Sequence, residues 1–225
     1  YSNVFLRSIW LGALSTVICL VLGYPVAYLI SRSSLKRQSV LLMLIMLPMW
    51  MNFLLRTYAW MPLLEDSGLI NSFLSLLGLP SFHMINTQGA VVLGMVYDYI
   101  PFMVLPLYTV LSKIDPAVVE AAQDLGANGR RVFLRVTFPL SMPGVISGVT
   151  MVFVPSVSTF IISKMLGGGA NLMIGDLIEM QFLGSAYNPN LGSAISLVLM
   201  VLILICMGIM NEFDSGENEG GGMMI

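Results

Sequence analysis

The stretch that decides the fold of this chain is Glu-Ala-Ala-Gln-Asp-Leu-Gly at residues 120–126, followed at a fixed distance by Val-Thr-Phe-Pro at 136–139. It is a polar segment in a sequence that is 57% hydrophobic and only 10% charged, whereas soluble domains carry about 25% charged residues. With a mean hydropathy of +0.88, the chain is predicted to be an all-α integral membrane protein. The polar stretch must then lie in water beside the bilayer.

The composition excludes several function classes. A net charge of −2 over 225 residues argues against a nucleic-acid partner, because phosphate-binding surfaces need clustered Lys and Arg. Cys19 and Cys206 both lie in apolar runs, where a thiol behaves as a small hydrophobic group, and neither a disulfide nor a metal site is expected. His83 has no further ligand at zinc spacing. No catalytic constellation remains, so the chain is not expected to be an enzyme.

Five apolar segments reach the length of about 20 residues that a spanning helix needs. They are residues 4–30, 40–62, 88–111, 138–162 and 191–210. The mixed segments 63–87 and 163–190 are too interrupted to span and are expected on the outer face, the second as an external or re-entrant segment. The transmembrane domain is therefore 1–210, and the acidic, glycine-rich tail 211–225 is predicted to be disordered.

Basic residues fix the predicted orientation. Seven of the ten Lys and Arg residues fall in two loops, 31–37 and 112–137, and by the positive-inside rule both loops are cytoplasmic. Five spans then place Tyr1 outside and the C-terminus inside. A preceding helix is expected to have brought the chain out of the cytoplasm.

Asp98 lies near the middle of the third predicted span, where a carboxylate costs about 2.5–3.5 kcal/mol on insertion scales. Two explanations are open. Asp98 either pairs with a polar group on a neighbouring helix, or faces a water-filled path and attracts a cationic substrate. Arg56, near the outer end of the second span, is expected to snorkel toward the headgroups. Gly144 and Gly148 either allow another helix to approach closely or reflect the general tolerance of small residues in membrane helices.

The polar stretch itself predicts two short helices set at an angle. Asp115 is suited to the N-cap and Pro116 to the first helical position, so one helix should run from Pro116 to about Leu125. Gly126 is suited to the left-handed conformation that ends helices. A second short helix with Arg130, Arg131 and Arg135 should lead up to Pro139.

This pattern is that of a family motif: Glu-Ala-Ala, three residues, Gly, nine residues, then an aliphatic residue, any residue, a hydrophobic residue and Pro. It resembles the EAA loop of ABC importer permeases, with Phe138 where the family usually has Leu. The resemblance implies the type I (MetI-like) helical bundle, with five of six spans present here. It also implies that segment 112–137, hereafter the coupling loop, docks into a groove of the ATPase. The residues that would dock are Glu120, Ala121, Ala122, Asp124, Gly126, Arg130, Arg131 and Pro139. The alternative is a solvated helix–turn–helix between two spans.

The resemblance extends over nearly the whole chain and is closest to the spermidine/putrescine permeases of the PotB type. The matching segments are 23–28, 47–50, 56–60, 101–108 and 173–176. It implies a multi-pass protein of the bacterial inner membrane. The implied partners are a second homologous permease, a dimeric ABC ATPase and a periplasmic or extracellular polyamine-binding protein. The residues expected along the substrate path are Asp98, Tyr97, Tyr99, Trp50, Trp60, Asp176 and Glu179.

The sequence contains no Gly-x-x-x-x-Gly-Lys-Ser/Thr phosphate loop. ATP and magnesium are therefore expected on the partner ATPase, and no cofactor is expected on this chain. Two alternatives stay open. The chain could serve another solute delivered by a binding protein, or it could be an ion-driven secondary transporter, which would have no need of the coupling loop.

Overall fold

The fold is all-α. The computed structural model describes residues 2–169, 171–184 and 187–220, and within these ranges it contains twelve α-helices, one 3₁₀ turn, one π-helical segment and no strand. The helices are α1 (Ser2–Ser31), α2 (Leu35–Met46), α3 (Phe53–Leu64), α4 (Leu69–Leu76), α5 (Gln88–Leu111), α6 (Pro116–Asp124), α7 (Gly129–Val132), α8 (Phe138–Leu140), α9 (Met142–Ser158), α10 (Ile161–Leu166), α11 (Ile174–Leu183) and α12 (Pro189–Gly220).

Among the described residues, three helices are long and apolar enough to cross a membrane alone: Asn3–Ser31, Gln88–Leu111 and Pro189–Met210. Two bent helix pairs bring the number to five if each counts as one span. In α12 only 6% of the most apolar window is buried, against 61% in α5. α5 is therefore a well-packed span, whereas the apolar part of α12, Pro189–Met210, presents most of its side chains outward.

The second predicted span, 40–62, is not one straight helix. Leu35–Trp50 and Phe53–Leu76 meet at 89°, because a 3₁₀ turn at Leu47–Trp50 contains Pro48 and is followed by extended backbone at Met51. The Asn52 side chain then accepts a hydrogen bond from the Leu54 N–H and caps α3. Pro48 has no N–H with which to continue the first helix, so that helix ends. The N-cap at Asn52 starts the next helix a few residues later.

The fourth predicted span, 138–162, is also bent. Gly129–Leu140 and Met142–Ser158 meet at 64° around Ser141, and the apolar stretch continues past Ser158 into the separate helix α10. The segments predicted as too interrupted to span contain the short helices α4 and α11.

The first part of the acidic tail extends the last helix, and the disorder expected for residues 211–225 stays a prediction. α12 continues to Gly220, because adding residues to an existing helix is easier than nucleating one. Residues 221–225 lie outside the described residues.

The chain divides into two compact units. The first comprises Tyr1–Ile18, Met46–Tyr99 and Phe153–Ile203, and the second comprises Cys19–Ile45, Ile100–Val152 and Leu204–Ile225. A cluster of buried apolar side chains in the first unit is formed by Val157, Ile174 and Leu199.

In the second unit α9 packs closely on α5. A Cβ atom on Gly144 would lie 3.0 Å from the Pro106 carbonyl oxygen, and one on Gly148 would lie 2.7 Å from the Met103 sulfur. The glycine pair therefore serves close helix approach.

Candidate functional site

The coupling loop begins with a capped helix. The Asp115 side chain accepts a hydrogen bond from the Ala117 N–H at 2.9 Å, and Pro116 occupies the first turn of α6, so one N-terminal donor is satisfied and another is absent. α6 ends at Asp124 with Leu125 as its C-cap. These bounds match the predicted helix to within one residue.

Gly126 ends α6 in the left-handed conformation, with φ of +82°. The Ala127 N–H bonds the Ala122 carbonyl at 3.1 Å and the Gly126 N–H bonds the Gln123 carbonyl at 2.8 Å, the double closure of a Schellman motif. A Cβ atom on Gly126 would meet nothing within 4 Å. Glycine is therefore needed here for its backbone conformation rather than for space.

The second arm of the coupling loop is fixed by a cap and by aromatic packing. The Asn128 side chain accepts a hydrogen bond from the Arg131 N–H at 2.9 Å, which starts α7. The chain then passes through a π-helical segment, Phe133–Thr137. The ring of Phe133 meets that of Tyr24 edge-on at 5.5 Å, and the Tyr24 hydroxyl lies 2.7 Å from Ser141 Oγ. The arm is thereby joined to α1.

The residues predicted to dock a partner are mostly exposed. Exposed side chains belong to Glu120, Ala121, Asp124, Gly126, Arg130, Arg131 and Pro139, and Ala122 is half-buried. Exposed apolar side chains lie among them, including Leu125, which is 89% exposed, and Val118, which is 46% exposed. A rigid helix end with small residues, flanking charges and an exposed leucine is a surface suited to protein contact.

Asp98 lies in the first unit and is fully buried within it. Its Oδ1 atom is 3.4 Å from Nε of Arg56, and its Oδ2 atom accepts a hydrogen bond from Thr57 Oγ1 at 3.0 Å. Arg56 is only 6% exposed, so the prediction that it snorkels is wrong. The carboxylate of Asp98 offsets part of the cost of burying the guanidinium, whose Nε and Nη1 atoms make no hydrogen bond within the described part of the chain.

Of the aromatic residues predicted to line the path, two pack against each other, one is buried and one is exposed elsewhere. Trp60 and Tyr97 are both half-buried and pack edge-to-face, with ring centroids 5.3 Å apart and planes at 72°. Tyr99 is buried and hydrogen-bonds the Thr159 side chain. Trp50 is 83% exposed and is not brought to this group.

Asp176 and Glu179 line a separate cavity of about 390 Å³ in the first unit, together with Lys164. Lys164 Nζ lies 2.7 Å from Glu179 Oε1. The Met173 N–H donates a hydrogen bond to Asp176 Oδ2 at 2.7 Å, which caps α11. Burial raises the pKa of Asp176 above its ordinary value, because the charged form loses hydration.

Sequence reasoning missed the partners of the acidic groups. No local sequence signal links Lys164 to Glu179, 15 positions away, or Thr57 to Asp98, 41 positions away. The aromatic contacts of Tyr24 were also missed.

Comparison with known proteins decides the family. Residues 6–215 match the family of binding-protein-dependent transport system inner membrane components. The chain belongs to this family. It is a multi-pass inner-membrane permease of all-α fold.

Bacterial permeases of known transport systems are similar to this chain. The spermidine/putrescine transport system permease protein PotB of Haemophilus influenzae is 40% identical over 207 residues, which cover 91% of this chain and 72% of the relative. Among solved structures, a bacterial ABC transporter involved in the import of alginate matches with a TM-score of 0.73 at 19% identity, covering 96% of this chain and 80% of its own. The MetNI methionine ABC transporter matches with a TM-score of 0.69 at 16% identity, with coverages of 96% and 94%. At these identities the structures establish the fold alone.

Proposed function

We propose that this permease is the membrane-spanning subunit of an ATP-driven importer of spermidine or putrescine and forms half of the translocation path. The observation that carries the cargo assignment is the 40% identity to a spermidine/putrescine permease over 91% of the chain. The partners in this proposal are a second homologous permease, a dimeric ATPase that binds ATP and magnesium, and an external polyamine-binding protein.

The geometry of the coupling loop supports docking of the ATPase. α6 is capped at Asp115 and closed at Gly126, so its exposed face is rigid before any partner binds. A rigid surface loses less conformational entropy on association than a flexible loop does. Closure of the ATPase would move α6, and the π-helical arm and its contact with Tyr24 would carry the displacement into α1. The ATPase would then shift the populations of inward- and outward-open states through its different affinity for each.

The substrate path remains a proposal in two parts, both in the first unit. The Trp60–Tyr97 pair offers aromatic faces that attract ammonium groups. Asp176 and Glu179 place two carboxyl groups around one cavity, against one lysine, which favours a cation there. Asp98 stays a predicted member of the path, but it is buried and its carboxylate is already paired with Arg56.

Two other functions make different predictions. A permease for another solute would keep the coupling loop, and the alginate and methionine transporters have the same fold. An ion-driven transporter would work without an ATPase.

The test uses the chain reconstituted with its partner permease, ATPase and binding protein in proteoliposomes. ATP-dependent uptake of labelled spermidine, competed by putrescine but not by methionine, is the expected result. Uptake of another solute in preference to both polyamines would contradict the cargo. Uptake that an ion gradient drives without ATP would contradict the mechanism.

The docking assignment has its own matched pair of variants. Glu120→Lys reverses a charge on the exposed face of α6, and Glu65→Lys reverses one at an exposed position predicted to lie outside. Glu120→Lys is expected to reduce co-purification of the ATPase and ATP-dependent uptake, whereas Glu65→Lys leaves co-purification unchanged. Equal co-purification of the ATPase with both variants would refute the assignment.

A further inference from the structure

The Arg56–Asp98 pair in the first unit suggests a role that differs from direct contact with substrate. We propose that Arg56 and Asp98 are positioning residues that hold Trp60 against Tyr97, so that this aromatic pair receives an ammonium group of the cargo. This inference rests on the proposed function, since it concerns how that cargo is recognised.

The contacts of Asp98 argue against direct access. Asp98 is 0% exposed, Thr57 is 0% exposed and Arg56 is 6% exposed. One carboxylate oxygen is 3.4 Å from the guanidinium and the other accepts a hydrogen bond from Thr57. A cationic cargo could reach Asp98 only by displacing a cation that is already attached to the protein. The negative charge of Asp98 is thus paired with the guanidinium of Arg56 inside the protein.

The same contacts fix the aromatic pair. Trp60 follows Arg56 by four residues in α3 and therefore lies on the same helix face, one turn further on. Tyr97 precedes Asp98 directly in α5. The Arg56–Asp98 ion pair consequently sets the separation of α3 and α5 at a point one turn of α3 before Trp60. The rings of Trp60 and Tyr97 meet at that next turn, with their centroids 5.3 Å apart.

The aromatic pair has the accessibility that Asp98 lacks. Trp60 and Tyr97 are each half-buried, so neither residue is enclosed as Asp98 is. Trp presents the strongest face for a cation among aromatic side chains, and Tyr also serves. In their edge-to-face arrangement the edge of one ring meets the face of the other, so the two rings do not cover each other's faces by stacking.

Buried ion pairs have a property that makes this inference testable. Removing one member leaves the other charge buried and unpaired, which disrupts the site, whereas replacing both by apolar residues of similar size is often tolerated. A positioning pair should therefore be replaceable by an apolar pair. A carboxylate that binds the cargo should not be.

The experiment measures KM and maximal rate of spermidine uptake per assembled transporter, with all partner chains present. Trp60→Ala is expected to raise KM by about 2- to 30-fold, the factor that corresponds to one cation–π contact. Asp98→Asn should raise KM by a similar factor, and the combination Asp98→Asn with Trp60→Ala should raise it no further, because both changes remove the same contact. Trp10→Ala, at an exposed position in α1, is the matched control and should leave KM unchanged.

The decisive variant is Arg56→Met combined with Asp98→Leu. It is expected to accumulate normally and to restore KM to within about twofold of the unmodified protein, even if Asp98→Asn alone fails to assemble. A KM for this apolar pair as high as that of Trp60→Ala would contradict the inference that the ion pair acts only by positioning the aromatic pair. Additive effects of Asp98→Asn and Trp60→Ala would also overturn the inference. If the unmodified transporter carries neither spermidine nor putrescine, the cargo assignment itself fails, and with it this inference.

Discussion

Gly126→Ala is the substitution that most sharply probes the coupling loop. Gly126 has φ of +82°, a region that an L-residue enters at a cost of about 1–2 kcal/mol. A Cβ atom there would meet nothing within 4 Å, so no steric clash adds to this figure. The whole effect of the substitution is therefore the conformational energy of one backbone position.

That energy should appear in docking. The free loop can escape the strain by giving up the hydrogen bonds that Gly126 and Ala127 make to Gln123 and Ala122, which unwinds the end of α6. Docking must then restore the original geometry. A penalty of about 1–2 kcal/mol corresponds to a factor of about 5–30 in the docking equilibrium.

The assay is ATPase co-purification and substrate-stimulated ATP hydrolysis by the assembled transporter. Gly129→Ala is the matched control, because it makes the same chemical change three residues further on, where the added Cβ also meets nothing and φ is not positive. We expect Gly126→Ala to weaken the ATPase interaction about 5- to 30-fold and Gly129→Ala to leave it unchanged. Equal behaviour of the two variants would refute the role of the α6 terminus.

Three further predictions concern stability. Because burial raises the pKa of Asp176 in the folded state, the free energy of unfolding should fall as pH rises from the ordinary carboxyl pKa through the raised one. Asp176→Asn should therefore raise Tm at neutral pH. A gain in Tm that persists undiminished at acidic pH would contradict this prediction. Gly175→Ala would place a Cβ atom 2.5–2.6 Å from the carbonyl oxygens of residues 158–159 and should cost about 1–3 kcal/mol; an unchanged Tm would exclude such a clash. Tyr24→Phe removes the hydroxyl that lies 2.7 Å from Ser141 Oγ and should lower stability in denaturant by about 1 kcal/mol; a stability equal to that of the unmodified protein would mean that this hydrogen bond contributes nothing.

The coupling loop could be predicted in detail because its signals are local. Asp115, Pro116 and Gly126 act on backbone groups within a few residues of themselves, so the sequence alone locates both ends of α6. The all-α membrane fold follows equally directly, since apolar runs of spanning length have few structural alternatives.

Other features depend on contacts between distant segments. The choice between the two explanations of Asp98 requires knowing that Thr57, 41 residues away, donates to it, and no periodicity encodes that contact. Arg56 likewise has the same sequence context whether it snorkels or is buried beside a carboxylate. The 89° bend after Trp50 involves Pro48 together with the cap that Asn52 supplies to α3, and a proline alone does not indicate the size of a bend.

The central claim is that the exposed end of α6 docks an ATPase, and site-specific photo-crosslinking tests it most directly. A photoreactive residue in place of Leu125, which is 89% exposed, should crosslink to the ATPase subunit in membranes. The same residue in place of Leu76, which is 84% exposed in α4 and predicted to lie on the outer face, should not. A crosslink from position 76 to the ATPase, with none from position 125, would contradict the account.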